Sequence, residues 1–159
     1  MVYRLSIIGP TIINRYSEDQ KLYRAVSSHV REYGESIITL AELTDFEWEQ
    51  AVYFSKTANQ IDIYEAVGVM YGGSMDLTRG IIFVNGGEIV YNEYFPWRGY
   101  GMSVHMYPVR LTMETKIPSD ADVKVFERED MFEVGVTLSE NRSRRAQSFG
   151  DLYWMRFVE

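Results

Sequence analysis

His29 and His105 are the only imidazoles in the 159-residue chain, and they stand far apart in it. Neither belongs to an H-x-x-x-H pattern that would put two metal ligands on one face of an element. The chain has no cysteine, which removes disulfides, thiolate metal sites and cysteine nucleophiles while leaving the compartment open. A calcium loop needs several oxygens in a short stretch; Glu127-Arg128-Glu129-Asp130 is too short and carries its own counter-charge. No G-x-S-x-G elbow marks a serine nucleophile. Gly72-Gly73-Ser74 and Gly86-Gly87 lack the spacing of phosphate-cradling glycines. Glycoside cleavage requires only two acids on opposing strands, and among 23 Asp and Glu some pair always fits. The residue types therefore single out no catalytic or metal-ligating residue and no cofactor.

Three segments could make contact instead. Residues 32–55 hold six acids (Glu32, Glu35, Glu42, Asp45, Glu47 and Glu49) and no Lys or Arg, with Phe46, Trp48 and Tyr53 between them. Such a run reads as a docking face for a basic protein, charge raising the encounter rate and rings supplying affinity. It reads equally as a solvated edge whose rings point into the core. Tyr94-Phe95-Pro96-Trp97-Arg98-Gly99-Tyr100 is a second candidate, its rings able to line a groove or to plug the end of a sheet. Arg142, Arg144 and Arg145, with Phe149, Tyr153 and Trp154 nearby, contain the ingredients of single-strand nucleic-acid binding. They read also as a solvated loop guarding a sheet edge. A net charge of −7 opposes phosphate backbones, so no nucleic-acid partner is expected. Asn141-Arg142-Ser143 matches a glycosylation sequon, relevant only in a eukaryotic secretory route.

These segments must be held by a core, and 46% hydrophobic residues are ample for one. Ser17-Glu-Asp-Gln20 has the form of a capping box, and Leu22, Val26, Val30 and Tyr33 follow as one apolar stripe. An amphipathic helix over 18–33, stopped by Gly34, is predicted. Thr57-Ala-Asn-Gln60 opens a short second helix closed by Gly68. Strands are predicted at Ser36–Leu40 and Trp48–Ser55. Gly80–Val84 and Glu88–Phe95 form a hairpin around Asn85-Gly86-Gly87, residues that tolerate positive φ. Val109–Glu114 alternates strictly, and Val123–Phe126, Met131–Leu138 and Leu152–Val158 complete the strands. The fold class is α+β: one mostly antiparallel curved sheet covered by the N-terminal helix and one short helix. Residues 1–159 read as a single domain. Residues 1–13 are an edge strand ended by Gly9-Pro10, or the trailing edge of an anchor; they fall far short of the ~20 apolar residues of a spanning helix.

From Ile38 to Pro96 the chain resembles a widespread group of small uncharacterised bacterial proteins, many of them predicted lipoproteins or exported proteins. The resemblance rests on Leu40–Phe54 (LAELTDFEWEQAVYF), Ile63–Gly68 (IYEAVG) and Ile82–Tyr91 (IFVNGGEIVY). It implies a bacterial origin, in the cytoplasm or, if an anchor precedes, in the periplasm or envelope. It carries no activity and no functional residues.

The expectation is a non-enzymatic protein-binding domain, such as an immunity or inhibitor protein occluding a basic partner. Its contact residues would be Glu42, Asp45, Phe46, Glu47, Trp48 and Glu49, with Tyr94, Trp97 and Tyr100. The alternatives are an exported or membrane-tethered envelope domain and a small hydrolase acting on a glycan or small molecule.

Overall fold

The structure, a computed structural model, describes residues 20–73, 75, 78–96, 110–115, 122–147 and 150–159. The amphipathic helix is α1 (Lys21–Tyr33), followed by β1 (Ser36–Thr39), a 3-10 turn (Ala41–Leu43), β2 (Gln50–Phe54) and α2 (Gln60–Val67). Then come β3 (Thr78–Asn85), β4 (Glu88–Pro96), β5 (Leu111–Glu114), β6 (Val123–Phe126) and β7 (Met131–Thr137). A 3-10 turn (Ser139–Asn141), the one-turn helix α3 (Arg144–Gln147) and β8 (Leu152–Phe157) complete the order. The class is α+β, with strand pairs antiparallel except for β5 and β8.

The strands do not form the one curved sheet expected from their order. They divide into a sheet β1-β7-β8-β5 and a sheet β4-β3-β2-β6. The chain passes from the second to the first between β4 and β5 and again at the turn between β6 and β7. A short charged turn between two strands suggests a hairpin, but here β6 pairs with β2 while β7 pairs with β1 and β8. Phe126, at the end of β6, meets Phe132 of β7 edge-on at 5.1 Å across that corner.

The β4-β3-β2-β6 sheet is buried on both faces. Ala51, Tyr53, Ile81 and Phe83 face a core shared with Leu22, Val26 and Val30 of α1 and with Phe132, Val134 and Met155 of the other sheet. Val52, Phe54, Ile82 and Val84 pack on the opposite face against Ile63 of α2, Val69 and Tyr71. Two buried faces explain why β2 and β3 read as unbroken apolar runs rather than alternating ones. Tyr33 leaves the predicted stripe and is 66% exposed.

Gly80 sits in the middle of this layer. A Cβ there would stand 2.7 Å from the Phe54 ring and 2.9 Å from the Glu93 carbonyl oxygen. Backbone cannot yield as a side-chain tip can, so Gly80→Ala should destabilise the protein by roughly 1–3 kcal/mol. Chemical denaturation checks this; an unchanged midpoint would mean the strands separate without cost.

Both helix starts differ from expectation. At α2 the capping box is Asn59 with Asp62: Asn59 Oδ1 accepts from the Ile61 and Asp62 N–H groups, and Asp62 accepts from that of Asn59. The overlapping Thr57–Gln60 pattern is not used. At α1, Ser17 lies outside the described residues, and Gln20 makes no side-chain cap. The helix start is closed from β4 instead. Glu93 accepts the Leu22 N–H at 2.9 Å and the Tyr23 N–H at 3.1 Å, and the Lys21 N–H reaches the Tyr91 hydroxyl at 2.9 Å. Tyr91 in turn donates to the same carboxylate. Four unpaired N–H groups open every α-helix; this one finds acceptors for its first three on a strand remote in sequence.

Candidate functional site

One end of the molecule is built from three connections: residues 40–49, the β3–β4 turn and the β6–β7 turn. Hydrogen bonds stitch them together. The Ala41 N–H donates to the Arg128 carbonyl at 2.9 Å, and the Leu40 N–H to that of Asp130 at 2.8 Å. Arg128 Nη1 donates to the Trp48 carbonyl at 3.3 Å, and Gln50 Nε2 to Glu127 Oε2 at 3.2 Å. The Gly86 N–H donates to Glu49 Oε1 at 2.8 Å. Gly86 and Gly87, with φ of 59° and 80°, make the tight turn the hairpin needs.

The acids of residues 42–49 all reach the surface, and most have a local task. Glu42 accepts from the Thr39 hydroxyl at 2.7 Å and its N–H at 3.2 Å. The hydroxyl bond, then the amide bond, hold the Glu42 carboxyl below the usual range. Asp45 lies 3.8 Å from Lys21 Nζ, with its side chain 84% exposed, a contact worth little in water. Glu49 secures the hairpin turn. Glu47 is exposed and has no hydrogen bond or ion pair among the described residues.

The rings behave differently. Trp48 is 3% exposed and belongs to the core. Its Nε1 donates to Thr44 Oγ1 at 2.8 Å, its ring meets Phe83 edge-on at 5.0 Å, and the Arg128 guanidinium lies 5.2 Å above it. Trp48 is thus a foundation of this surface and not the projecting anchor expected of it; Tyr53, 4% exposed, is likewise inside. Phe46 is half-buried against Phe83 and Tyr91, with Lys21 Nζ 5.3 Å from its ring. The alternation Phe46, Glu47, Trp48, Glu49 is the signal that places rings inward and acids outward. Tyr94 joins the core on the α2 side of its sheet, its hydroxyl hydrogen-bonded to that of Tyr71, so it does not share a surface with residues 42–49. Trp97 and Tyr100 lie outside the described residues, as do His105 and Phe149.

An open cleft of about 310 Å³ lies here, lined by Phe46, Glu47, Trp48, Asn85 and Arg128. Asn85 and Arg128 were not legible as contact residues. Asn85 ends β3 beside the hairpin turn and Arg128 sits in the β6–β7 turn, and only the pairing of β6 with β2 brings the second turn beside the first. That same pairing adds exposed Glu127 and Glu129 to the acids of residues 42–49. Among the described residues no group of three His, Asp or Glu could hold a metal ion. No described helix is long and apolar enough to cross a membrane.

The other candidates are tied into the fold. Arg142 Nη1 donates to the Gly150 carbonyl at 2.6 Å, fastening the loop before β8. His29 Nε2 is 2.9 Å from Ser36 Oγ, joining α1 to β1, while Ser36 Oγ also donates to the Gly34 carbonyl at 3.3 Å. Comparison with known proteins finds no family model, no curated protein and no solved structure that matches the chain.

Proposed function

We propose that the chain is a non-enzymatic bacterial protein-binding domain that docks a basic partner on this acidic end, in the manner of an immunity or inhibitor protein. The observation that carries the reading is the exposure of Glu42, Asp45, Glu47, Glu49, Glu127 and Glu129 on two segments that hydrogen bonds join, with Glu47 lining an open cleft. Loops cross-linked by hydrogen bonds hold these carboxylates without a partner, so little ordering cost remains at binding. Charge steers the encounter, and the rim of Phe46 supplies apolar contact.

The test is capture of the partner from a lysate of the source bacterium, repeated with Asp45→Lys/Glu47→Lys. Neither side chain has a role in the core, so the variant should melt like the wild type. Its affinity for the captured partner should fall at least about tenfold at low salt, with a smaller loss at high salt. Equal binding by both proteins would remove this surface from consideration.

A further inference from the structure

The cleft holds more polar capacity than the fold uses. Arg128 gives one N–H to the Trp48 carbonyl, and a guanidinium has five. The Asn85 side chain has no hydrogen bond among the described residues, and neither does the Glu47 carboxylate. Asn85 is paired with Glu88 at the hairpin end of β3, and the Arg128 guanidinium lies 5.2 Å from the centre of the Trp48 ring. An amide offers a donor and an acceptor in one plane, which matches the N–H and C=O of a single residue in extended chain, where both point to the same side. The remaining Arg128 donors match a further carbonyl.

Resting on the acidic-surface reading, we infer that the cleft clamps an extended segment of the partner by its main chain, with a lysine or arginine side chain at the Glu47 end. Asn85 takes a peptide N–H and C=O, Arg128 takes a carbonyl, and Glu47 pairs with the cation. Arg128 repels a basic side chain at its own end, so the segment runs in one direction only; repulsion is as much a part of specificity as attraction. A volume of about 310 Å³ is at the lower limit of ligand clefts, about 300–1,000 Å³. That limits the clamp to a few residues of chain.

The experiment uses the whole protein and capped pentapeptides, Ala-Ala-Lys-Ala-Ala and its counterparts with central Glu or Ala, followed by shifts of backbone amide resonances. The lysine peptide should move the amides of residues 46–49, 84–87 and 127–130 saturably and bind at least about tenfold more tightly than the glutamate peptide. Glu47→Gln should abolish the preference for lysine over alanine. Asn85→Ala, which removes the amide donor and acceptor without adding charge, should weaken lysine and alanine peptides alike, with an unchanged melting curve. The inference is overturned if the cleft amides do not shift, if capped single lysine binds as well as the pentapeptide, or if Asn85→Ala binds like the wild type. Loss of the captured partner in Asp45→Lys/Glu47→Lys together with normal binding by Asn85→Ala would keep the acidic surface and discard the clamp. The reverse pattern would overturn the acidic surface and, with it, the cation contact at Glu47.

Discussion

Trp48→Ala should cost the protein about 3–5 kcal/mol, the usual loss when a large aromatic leaves a core. The ring touches Phe83 on one side and carries Arg128 on the other, and its Nε1 is bonded to Thr44. Removing it leaves a void beneath residues 46–49 and frees the Arg128 turn. Against a total stability of about 5–15 kcal/mol, the melting temperature should fall by roughly 6–20 °C. Trp48→Phe separates the two contributions. It keeps an aromatic ring against Phe83 and loses the hydrogen bond to Thr44, and it should cost about 1–2 kcal/mol. Calorimetry on the three proteins decides the matter: a melting temperature for Trp48→Ala within a degree or two of the wild type would place the indole at the surface after all. Lost partner binding by Trp48→Ala would reflect a damaged fold, so the acids are the proper place to test recognition.

Glu93→Ala should be nearly as harmful, costing roughly 2–4 kcal/mol, because it strands buried donors and uncaps a helix at once. Glu93 is 7% exposed. Without it the Leu22 and Tyr23 N–H groups and the Tyr91 hydroxyl lose their acceptor. Glu93→Gln, which retains one carbonyl oxygen, should be milder. Burial pushes the Glu93 carboxyl above its ordinary value of 4.5, and the hydrogen bonds from Tyr91, Leu22 and Tyr23 oppose this only in part. The folded state therefore holds the proton more tightly than the unfolded one. The resulting stabilisation is complete below the unfolded value and is lost as pH rises through the folded one. Glutamine does not titrate, so the advantage of wild type over Glu93→Gln should be largest in acid and shrink as pH rises. Denaturant unfolding over a pH series measures that gap; a gap widening toward neutral pH would show that the ionised carboxylate is the favoured form.

What the sequence makes legible is whatever is decided locally. The Asn85-Gly86-Gly87 turn specifies the hairpin through φ angles that few other residues accept, and the spacing of Leu22, Val26 and Val30 specifies the buried side of α1. The division into two sheets is decided by pairing across long stretches of chain, and nothing within Glu127–Asp130 distinguishes a hairpin turn from a corner. The same reason hid Arg128 from the candidate site. Trp48 differs in cause: the exposed acids around it suit a docking face, while the alternation that sends every second side chain inward puts its ring in the core, the second of the two readings its segment allows. The helix starts show a third limit. Two overlapping patterns at 57–60 and 59–62 satisfy the same motif, and at α1 the cap comes from a strand that no local pattern can name.

That borrowed cap bears on the order in which the polypeptide takes shape. As the chain leaves the ribosome, α1 emerges with its opening turn incomplete and must wait for residues 91–93 before its amides find acceptors. The wait is longer for β1, whose neighbour is β7, and among the described strands β5 adjoins only β8. Among the described strands β2, β3 and β4 can pair as soon as each is made, so maturation should begin in their sheet and reach the β1-β7-β8-β5 sheet last.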